Sequence, residues 1–418
     1  MKILIVSTSD TSGGASRAAL RLHKALLGNG VGSRMRVEEK KSDLVSVDGG
    51  VRKLMAKGWC VLRRNLAVAL MRLQSTPNFN THSPSVFSSG IVDELNATVA
   101  EVVNLHWVCG EFLSVEDISR ISKPTVWTLH DMWAFCGAEH YAPEDGYARW
   151  RLGYLSKDRP AEQKGLDIDR WVWNRKRKNW THPVHIVTPS RWLADCARSS
   201  ALMHDWPITV IPNPLDTRQF QPWPKVLARK ILGLPLDAKL VLFGAIGGGS
   251  DPRKGWDLLQ PALNIIAGKM QGIQGVIFGQ SEPVNPPSLG MPLHWMGHLN
   301  DDITLALLYS AADVMVVPSR QENLPQSGTE AQACGCPVVA FNCTGLPDVV
   351  AHGETGYLAE PYDLDELAKG ILWVLEDAER YSRLCAAARK RALHLWSSEV
   401  VVPQYMKVYE AAIESHRK

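Results

Sequence analysis

Short apolar runs alternate with helix-like segments along both halves of the chain, and this alternation restricts the fold more than any other feature. The N-terminal run "KILIVS" is followed by a glycine-containing turn and a helical segment that ends at Gly28 or Gly30. The second half repeats this order with "KLVLFGAI", a glycine-rich loop and "WDLLQPALNIIAGK". Strands that alternate with helices form doubly wound parallel sheets, whose ligands lie at the carboxyl ends of the strands. The sequence therefore predicts an α/β chain with two doubly wound, Rossmann-like domains that face a cleft.

Chain length and a turn-rich segment predict where these domains meet. A chain of 418 residues exceeds the usual size of one domain. The segment "ITVIPNPLDTRQFQPWP" is rich in proline and turn residues, which is typical of a linker. We expect an N-terminal domain over 1–213 and a C-terminal domain over 214–395. A final helix over about 396–418 is expected to pack back on the N-terminal domain.

Composition argues against several other classes of protein. The net charge of +3 gives no reason to expect a nucleic-acid-binding protein. The N-terminal apolar run is too short for a signal peptide, and no apolar run reaches about 18 residues, so we expect a cytoplasmic protein without a membrane span. Cys334 and Cys336 form a C-x-C in an apolar context without zinc-ligand spacing, and we expect reduced core residues there.

The stretch "SRQENLPQSGTEAQACGCPVV" places Glu322 and Glu330 between two apolar, strand-like runs. A helix predicted to begin near Ser327 would leave the backbone N–H groups of Ser327, Gly328 and Thr329 free for a phosphate. Glu330 would lie in the first turn of that helix, where its two oxygens suit the diol of a ribose. Glu322 would lie nearer to a sugar attached to the phosphates. Alternatively, Glu330 only complements the helix dipole and Glu322 is solvated.

A second candidate is the loop "GGGSDPRKGWDLL". Its glycines, among them Gly247 and Gly248, allow the backbone to approach a ligand closely. Arg253 and Lys254 follow at the start of the next helix, where two cations would neutralise a diphosphate leaving group. The alternative is an exposed turn with a solvated basic pair.

The N-terminal half carries weaker signals. Gly13 and Gly14 lie between the first strand and its helix, but the G-x-G-x-x-G dinucleotide pattern is absent. His130 follows the strand-like run "PTVWT", where it would hydrogen-bond a sugar hydroxyl or serve only as a structural histidine.

Together these motifs resemble the family 4 glycosyltransferases of the two-domain GT-B fold, especially the bacterial exopolysaccharide and O-antigen type. The resemblance rests on the Glu322 and Glu330 spacing before "ACGCPVVAF", and on "VIPNPLDTRQF", "RKGWDLL" and "GLPDVVAHGETGYLAEPYD". It covers the C-terminal half nearly end to end. In the N-terminal half it is limited to "SGGAS", "TLHD" and "TPSRWL".

The resemblance implies a retaining, metal-independent transfer of a sugar from a nucleotide-sugar to a hydroxyl of a lipid-linked or polysaccharide precursor glycan. The N-terminal domain would bind the acceptor and the C-terminal domain the donor, without a cofactor. The implied catalytic residues are Glu322, His130, Lys254 and Arg253. Gly13 and Gly14 would line the phosphates or the acceptor. The implied donor contacts are Glu330, Ser327, Gly328, Thr329, Gly247, Gly248, Gly297, His298, Asn323 and Leu324.

One position departs from the family pattern. The family loop has an arginine where this chain has Ala245, and Arg253 would have to replace it. Two other functions stay open at this point: a nucleotide-sugar-hydrolysing epimerase of the same fold, and a non-catalytic nucleotide-sugar-binding protein.

The segment from Val51 to Gln74 has six cations, no acid and many apolar residues. A basic amphipathic helix with an aromatic residue is typical of a segment that lies in a membrane interface. We expect peripheral contact with the inner face of the cytoplasmic membrane, in which Arg63 and Arg64 take part. The alternative is a helix packed on the N-terminal domain with its basic face in water.

Overall fold

The computed structural model describes residues 1–50, 54–244, 247, 249, 251–299 and 301–417, with the backbone alone for 54–56. These residues fold into two compact α/β units. Unit 1 contains Met1–Ile211 and Val402–Lys418, and unit 2 contains Pro212–Val401. The chain changes unit inside the proline-rich segment, two residues before the expected boundary. Both sheets are parallel, which confirms the predicted fold class.

Unit 1 is built on a seven-stranded sheet of order β3-β2-β1-β5-β6-β8-β9, beside a two-stranded ribbon of β4 and β7. Its strands are β1 Lys2–Ser9, β2 Gly32–Glu39, β3 Val47–Gly49, β4 Gln74–Ser75, β5 Val102–Leu105, β6 Thr125–Thr128, β7 Lys164–Gly165, β8 His185–Thr188 and β9 Ile208–Val210. Its helices are α1 Gly13–Gly28, α2 Leu54–Met71, α3 Val92–Ala97, α4 Val115–Ser119, α5 Arg149–Leu152, α6 Ile168–Asn179 and α7 Arg191–Arg198.

Unit 2 is built on a six-stranded sheet of order β12-β11-β10-β13-β14-β15. Its strands are β10 Lys239–Gly244, β11 Ile273–Phe278, β12 Leu293–Trp295, β13 Val314–Val317, β14 Val338–Phe341 and β15 Gly356–Ala359. Its helices are α8 Lys225–Leu232, α9 Trp256–Ala267, α10 Asp302–Ala311, α11 Gln326–Ala333, α12 Leu346–Val349, α13 Leu364–Leu375 and α14 Ala378–Trp396, and α15 Ser398–Arg417 follows.

The strand order reverses once in each sheet, and this reversal positions the candidate site. In unit 1 the chain adds β2 and β3 on one side of β1 and then continues with β5 on the other. In unit 2 it adds β11 and β12 on one side of β10 and then continues with β13. At such a switch point the loops after two neighbouring strands diverge and leave a crevice. The crevices therefore lie beyond the carboxyl ends of β1 and β5, and of β10 and β13.

Helix α15 returns the chain to unit 1. The hydroxyl of Tyr409 donates a 2.8 Å hydrogen bond to Oδ1 of Asn104, which lies in β5. The hydroxyl of Tyr405 lies 3.3 Å from Oγ1 of Thr128, at the end of β6. All four side chains are buried, so α15 is part of the core of unit 1.

Helix α2 does not present the basic face that the sequence suggested. Arg63 is buried, pairs with the buried Glu38 of β2, and donates a 2.8 Å hydrogen bond to the Glu111 carbonyl. Arg64 pairs with Glu38 and Glu39. The prediction that Arg63 faces a membrane is therefore wrong, because the residue is buried against Glu38; Arg64 is partly exposed, and acids on β2 neutralise its charge. Among the described residues, no helix is long and apolar enough to cross a membrane.

A buried ion pair stabilises unit 2 at the N-terminal end of strand β13. The carboxylate of Asp313 lies 2.7 Å from both Arg229 Nη2 and Lys225 Nζ, and it accepts a 2.7 Å hydrogen bond from the Leu240 amide. Arg229 and Asp313 are both buried. Removing one partner of such a pair leaves an uncompensated charge in the core.

We therefore expect Asp313→Ala to lower the free energy of unfolding by about 3–5 kcal/mol in urea denaturation. The matched control is Asp257→Ala, which breaks the partly exposed pair with Arg320 and should cost less than about 1 kcal/mol. Equal losses in the two variants would contradict this description of the core.

Candidate active site

Glu322 is the centre of the candidate site in unit 2. It lies between β13 and α11, and only 8% of its surface is exposed. Lys254 Nζ forms an ion pair with its Oε1, Arg253 Nη1 lies 3.6 Å from the same oxygen, and Ser319 donates to it at 3.3 Å. The structure thus brings together two candidates that are 68 positions apart, and Glu322 is not a solvated acid.

The electrostatic balance at Glu322 favours the ionised form. Burial raises the pKa of this carboxyl. The charges of Lys254 and then Arg253 lower the pKa, and together the lowering effects exceed the effect of burial. The pKa of Glu322 therefore lies below its ordinary value. The residue is a carboxylate at neutral pH, and it holds the Lys254 ammonium in place.

The loop that carries the two cations is shaped by its neighbours. Arg253 and Lys254 belong to a 3-10 turn that Asp251 caps by accepting a 3.0 Å hydrogen bond from the Arg253 amide. Gly255 follows with φ of +70°, and a Cβ there would lie 1.9 Å from the carbonyl oxygen of Pro318. Only glycine permits this close approach to the end of β13, which sets Lys254 beside Glu322.

Helix α11 begins earlier than the sequence suggested. Its first residue is Gln326 and its N-cap is Pro325, so Glu330 lies in the second turn and not the first. The amides of Gly328 and Thr329 donate to the Pro325 carbonyl at 3.1 and 3.3 Å, so they are not free for a phosphate as predicted. The correction follows from the start of the helix, because the Pro325 carbonyl is already an intrahelical acceptor.

At the second helical position, the amide of Ser327 cannot bond within the helix. The Ser327 residue itself is partly exposed. The N-terminal end of α11, which follows Glu322 in the chain, therefore presents the Ser327 amide as a hydrogen-bond donor.

Glu330 is buried and is held by a residue that sequence analysis missed. Its Oε2 accepts a 2.8 Å hydrogen bond from the hydroxyl of Tyr309 in α10. The only sequence signal was a tyrosine in the otherwise apolar segment "ITLALLYSAA". This hydrogen bond fixes the orientation of the Glu330 carboxylate.

Asn323 and Leu324, the two residues after Glu322, are both buried. Leu324 packs in the hydrophobic core of unit 2. Any contact between Leu324 and a polar ligand would therefore be limited to its backbone.

Glycine loops meet beyond the ends of β10, β11 and β12. The amide of Gly247 donates to the Gly279 carbonyl at 3.3 Å, and the amide of Gly279 donates to the Gly297 carbonyl at 2.8 Å. Gly297 is partly buried and His298 is exposed. The predicted positions Gly247 and Gly297 are therefore joined through Gly279, which sequence analysis missed although it directly follows the run "GVIF". Gly248 and Ala245 lie outside the described residues.

Unit 1 places a histidine pair beyond the ends of β5 and β6. Nδ1 of His106 lies 2.9 Å from Nε2 of His130, and the two rings are stacked. Burial lowers the pKa of His130 to about 4. Burial also lowers the pKa of His106, and so does the repulsion that a protonated His130 would exert on it. Both rings are therefore neutral at pH 7. Sequence analysis missed His106, although "NLHWV" places a histidine after a strand as "WTLHD" does.

Asp131, next to His130, is held from two sides. Its Oδ2 accepts hydrogen bonds from Trp107 Nε1 at 3.0 Å and His140 Nδ1 at 2.6 Å. Nε2 of His140 lies 2.8 Å from Oγ of Ser83. This network fixes the backbone that carries His130.

Gly13 and Gly14 begin α1, directly after β1. Gly13 has φ of +84°, and Ser12 is the N-cap. Oγ of Ser9 accepts hydrogen bonds from the amides of Ser12 and Thr11 at 3.3 and 3.4 Å. The glycines lie at the switch point of unit 1.

Comparison with known proteins gives the class of the chain. Residues 229–391 match the family model described as glycosyl transferases group 1. A D-inositol 3-phosphate glycosyltransferase from Thermobispora bispora is 31% identical over 341 residues, which cover 75% of this chain and 71% of that protein. An MMP alpha-(1->4)-mannosyltransferase from Mycolicibacterium hassiacum is 30% identical over 238 residues, which cover 55% of this chain and 53% of that protein.

Solved structures share the fold across nearly the whole chain. Sucrose-phosphate synthase from Thermosynechococcus elongatus aligns with a TM-score of 0.66 at 17% identity, covering 99% of this chain and all of that one. The Anabaena protein HepE, in complex with UDP and glucose, aligns with a TM-score of 0.64 at 17% identity, covering 98% and 99%. Two Rossmann-like units of the GT-B type are therefore present.

The chain belongs to the group 1 glycosyltransferases, of the family 4 type with the GT-B fold, and its enzyme class is hexosyltransferase. The sequence resemblance is thereby confirmed.

If the candidate site is the active site, Lys254→Ala and Glu322→Gln should each lower the turnover number about 100–1000-fold, because each removes a preorganised charge from it. Steady-state kinetics check this, with circular dichroism to confirm that each variant is folded. Lys369→Ala, which removes an exposed lysine paired with Glu366, is the control. Near-normal turnover in both site variants would contradict the assignment.

Proposed function

We propose that the chain transfers a hexose from a nucleotide-sugar to an acceptor hydroxyl with retention of anomeric configuration. The observation that carries this proposal is the convergence of Lys254 and Arg253 on the buried Glu322 carboxylate. They meet at the switch point of unit 2, beside the start of α11. A nucleoside diphosphate requires cations and free amides, while its sugar requires a fixed carboxylate. This edge of the sheet carries the two cations, the fixed Glu322 carboxylate and the Ser327 amide, which has no bond within α11.

In the proposed reaction, negative charge grows on the diphosphate as its bond to the sugar carbon breaks. Lys254 and Arg253 would stabilise that charge. Glu322 would accept hydrogen bonds from the sugar hydroxyls, because two cations already hold its carboxylate and reduce its nucleophilicity. The oxygen of the acceptor hydroxyl then bonds to the sugar carbon from the same face from which the diphosphate departs. The proton of that hydroxyl goes to an oxygen of the departing diphosphate.

Two cationic side chains supply charge that a divalent cation supplies in other phosphoryl sites. We therefore propose that the transfer requires no metal.

The donor and acceptor are proposed from relatives. HepE has been solved with UDP-glucose, and the relatives named above act on inositol phosphate or transfer mannose. A UDP-hexose is therefore the first donor to test. We propose a lipid-linked or polysaccharide precursor glycan as the acceptor, bound by unit 1 near His130 and the Gly13 loop.

One assay separates transfer from the two other readings of the sequence. We expect UDP release from a UDP-hexose to be slow without acceptor and to rise at least about tenfold with a competent glycan acceptor. A nucleotide-sugar-hydrolysing epimerase would release UDP at the same rate with or without acceptor. A binding protein would release none above the Lys254→Ala background.

Glu330→Ala should weaken nucleoside diphosphate binding by about tenfold, the usual effect of losing one hydrogen bond to a charged group. The turnover number should change little, because a ribose contact is equally strong in the ground and transition states. Calorimetry checks this. Tyr309→Phe, which removes the hydroxyl that donates to Glu330, should have a smaller effect. Unchanged affinity in Glu330→Ala would mean that the residue only supports α11.

We propose that helix α2 contacts the membrane through its exposed apolar side chains. Trp59, Leu62 and Leu66 lie three and four positions apart on one exposed face, while Val61 and Val68 are exposed on another side of the helix. Apolar stripes of this kind insert into the interfacial region of a bilayer. Exposed Lys57 and Arg72 would add attraction to anionic lipid.

Co-sedimentation with vesicles tests this contact. The wild-type chain should bind anionic vesicles better than neutral ones, and Leu62→Glu with Leu66→Glu should abolish binding. The control is Leu227→Glu, on an exposed face of α8. Equal binding by the double variant and the control would refute the contact.

A further inference from the structure

Three side chains of types that can bind a metal converge in unit 1, away from the histidine pair. They are His82, Glu139 and Asp169, and one nitrogen or oxygen atom of each lies within 4.8 Å of the other two. The His82 side chain is 10% exposed, and Glu139 and Asp169 are 6% and 2% exposed. They come from three separate segments: the loop after β4, the loop after β6 and the first turn of α6.

The other polar atom of each side chain is already bonded. His82 Nδ1 donates to the Asn80 carbonyl at 2.7 Å, Glu139 Oε1 accepts from the Tyr154 hydroxyl, and Asp169 Oδ2 accepts from Gln74 at 2.6 Å. The three remaining atoms, Nε2 of His82, Oε2 of Glu139 and Oδ1 of Asp169, have no hydrogen-bond partner in the described part of the chain.

This is the arrangement that outer-shell partners give to metal ligands. A ring N–H that donates to a carbonyl directs the lone pair of the other nitrogen into the site.

The charges at this cluster are unbalanced. Two acids, Glu139 and Asp169, are buried here with carboxylate oxygens within 4.8 Å of each other. The cations nearby are engaged elsewhere: Lys176 donates to the carbonyls of Cys136 and Gly137 at 3.1 and 2.7 Å, and Arg149 pairs with Asp167. Buried carboxylates without a counter-charge are costly, and a bound cation removes that cost.

The backbone around the cluster is closely fitted. A Cβ at Gly137 would lie 2.7 Å from Glu139 Oε2 and 2.5 Å from the Asp169 carbonyl. Only glycine fits between the two acids.

We propose that His82, Glu139 and Asp169 bind one divalent transition-metal cation, for which zinc is the probe. One imidazole nitrogen and two carboxylate oxygens form a ligand set that zinc accepts, with water as a fourth ligand. Small side-chain rotations would bring the atoms to the separation of about 3.4 Å that bonds of about 2.1 Å require. The sequence led us to expect no metal, and this proposal departs from that expectation.

The site has a structural consequence for His130. Ser83 and His140 directly follow His82 and Glu139 in the chain, and both belong to the network that holds Asp131. A cation that joins His82 to Glu139 would therefore fix the two segments that support Asp131, the neighbour of His130.

Zinc titration of the full chain, after chelator treatment and removal of any affinity tag, tests the proposal. We expect about one zinc ion per chain to remain after gel filtration, with a rise of several degrees in the unfolding midpoint at saturating zinc. His82→Gln and Asp169→Asn should each lower zinc affinity at least about tenfold. The matched controls are His23→Gln and Glu111→Gln, which alter a buried histidine and a buried acid outside the cluster.

Absence of stoichiometric zinc in the wild-type chain would overturn the proposal, whether or not the variants fold. Zinc binding that persists in both cluster variants would also overturn it. A protonated carboxyl band in the infrared spectrum, unaffected by zinc and lost in Glu139→Gln, would show that the two acids share a proton instead.

Discussion

The ion pair between Lys254 and the buried Glu322 carboxylate is the interaction on which the candidate site of unit 2 depends. It connects the loop after β10 to the loop after β13, the two strands at which the strand order of unit 2 reverses. Burial alone would neutralise the acid, but the adjacent cations keep it ionised. The result is a preorganised set of charges whose geometry is fixed before any ligand binds, and such preorganisation is what electrostatic catalysis requires.

Unit 1 has the same topology but a different surface chemistry at its switch point. Its strand ends carry neutral imidazoles, with Asp131 held by Trp107 and His140. Neutral rings and aromatic edges suit the hydroxyls and apolar faces of a sugar, whereas the cations of unit 2 suit a diphosphate. Under the proposed function, the two parallel sheets would therefore support two kinds of recognition through the chemistry of their loops.

The sequence predicted those features that are local. Apolar runs identified β1, β10 and β13, because buried parallel strands are apolar on both faces. Strand β2 was missed because Arg34 and Arg36 interrupt its apolar residues, and they pair with Asp48 and Glu94 at the surface.

Interactions between distant segments were not predictable from one sequence. The pairing of Arg63 with Glu38 depended on a strand that was not recognised. The hydroxyl that donates to Glu330 is in another helix, and α11 begins at Gln326, one residue before the predicted start. Glu322 and Lys254 were each identified from local pattern, but only the sheet topology could show that they touch.

Hydrogen–deuterium exchange of the full chain with and without saturating UDP tests the central claim most directly, because it locates nucleotide binding without relying on a variant. We predict slower exchange in 251–255 and 319–330, the segments that carry Lys254 and Glu322, and in the loops at Gly279 and Gly297. Protection confined to unit 1, or protection of unit 2 that leaves both of these segments unchanged, would contradict the account.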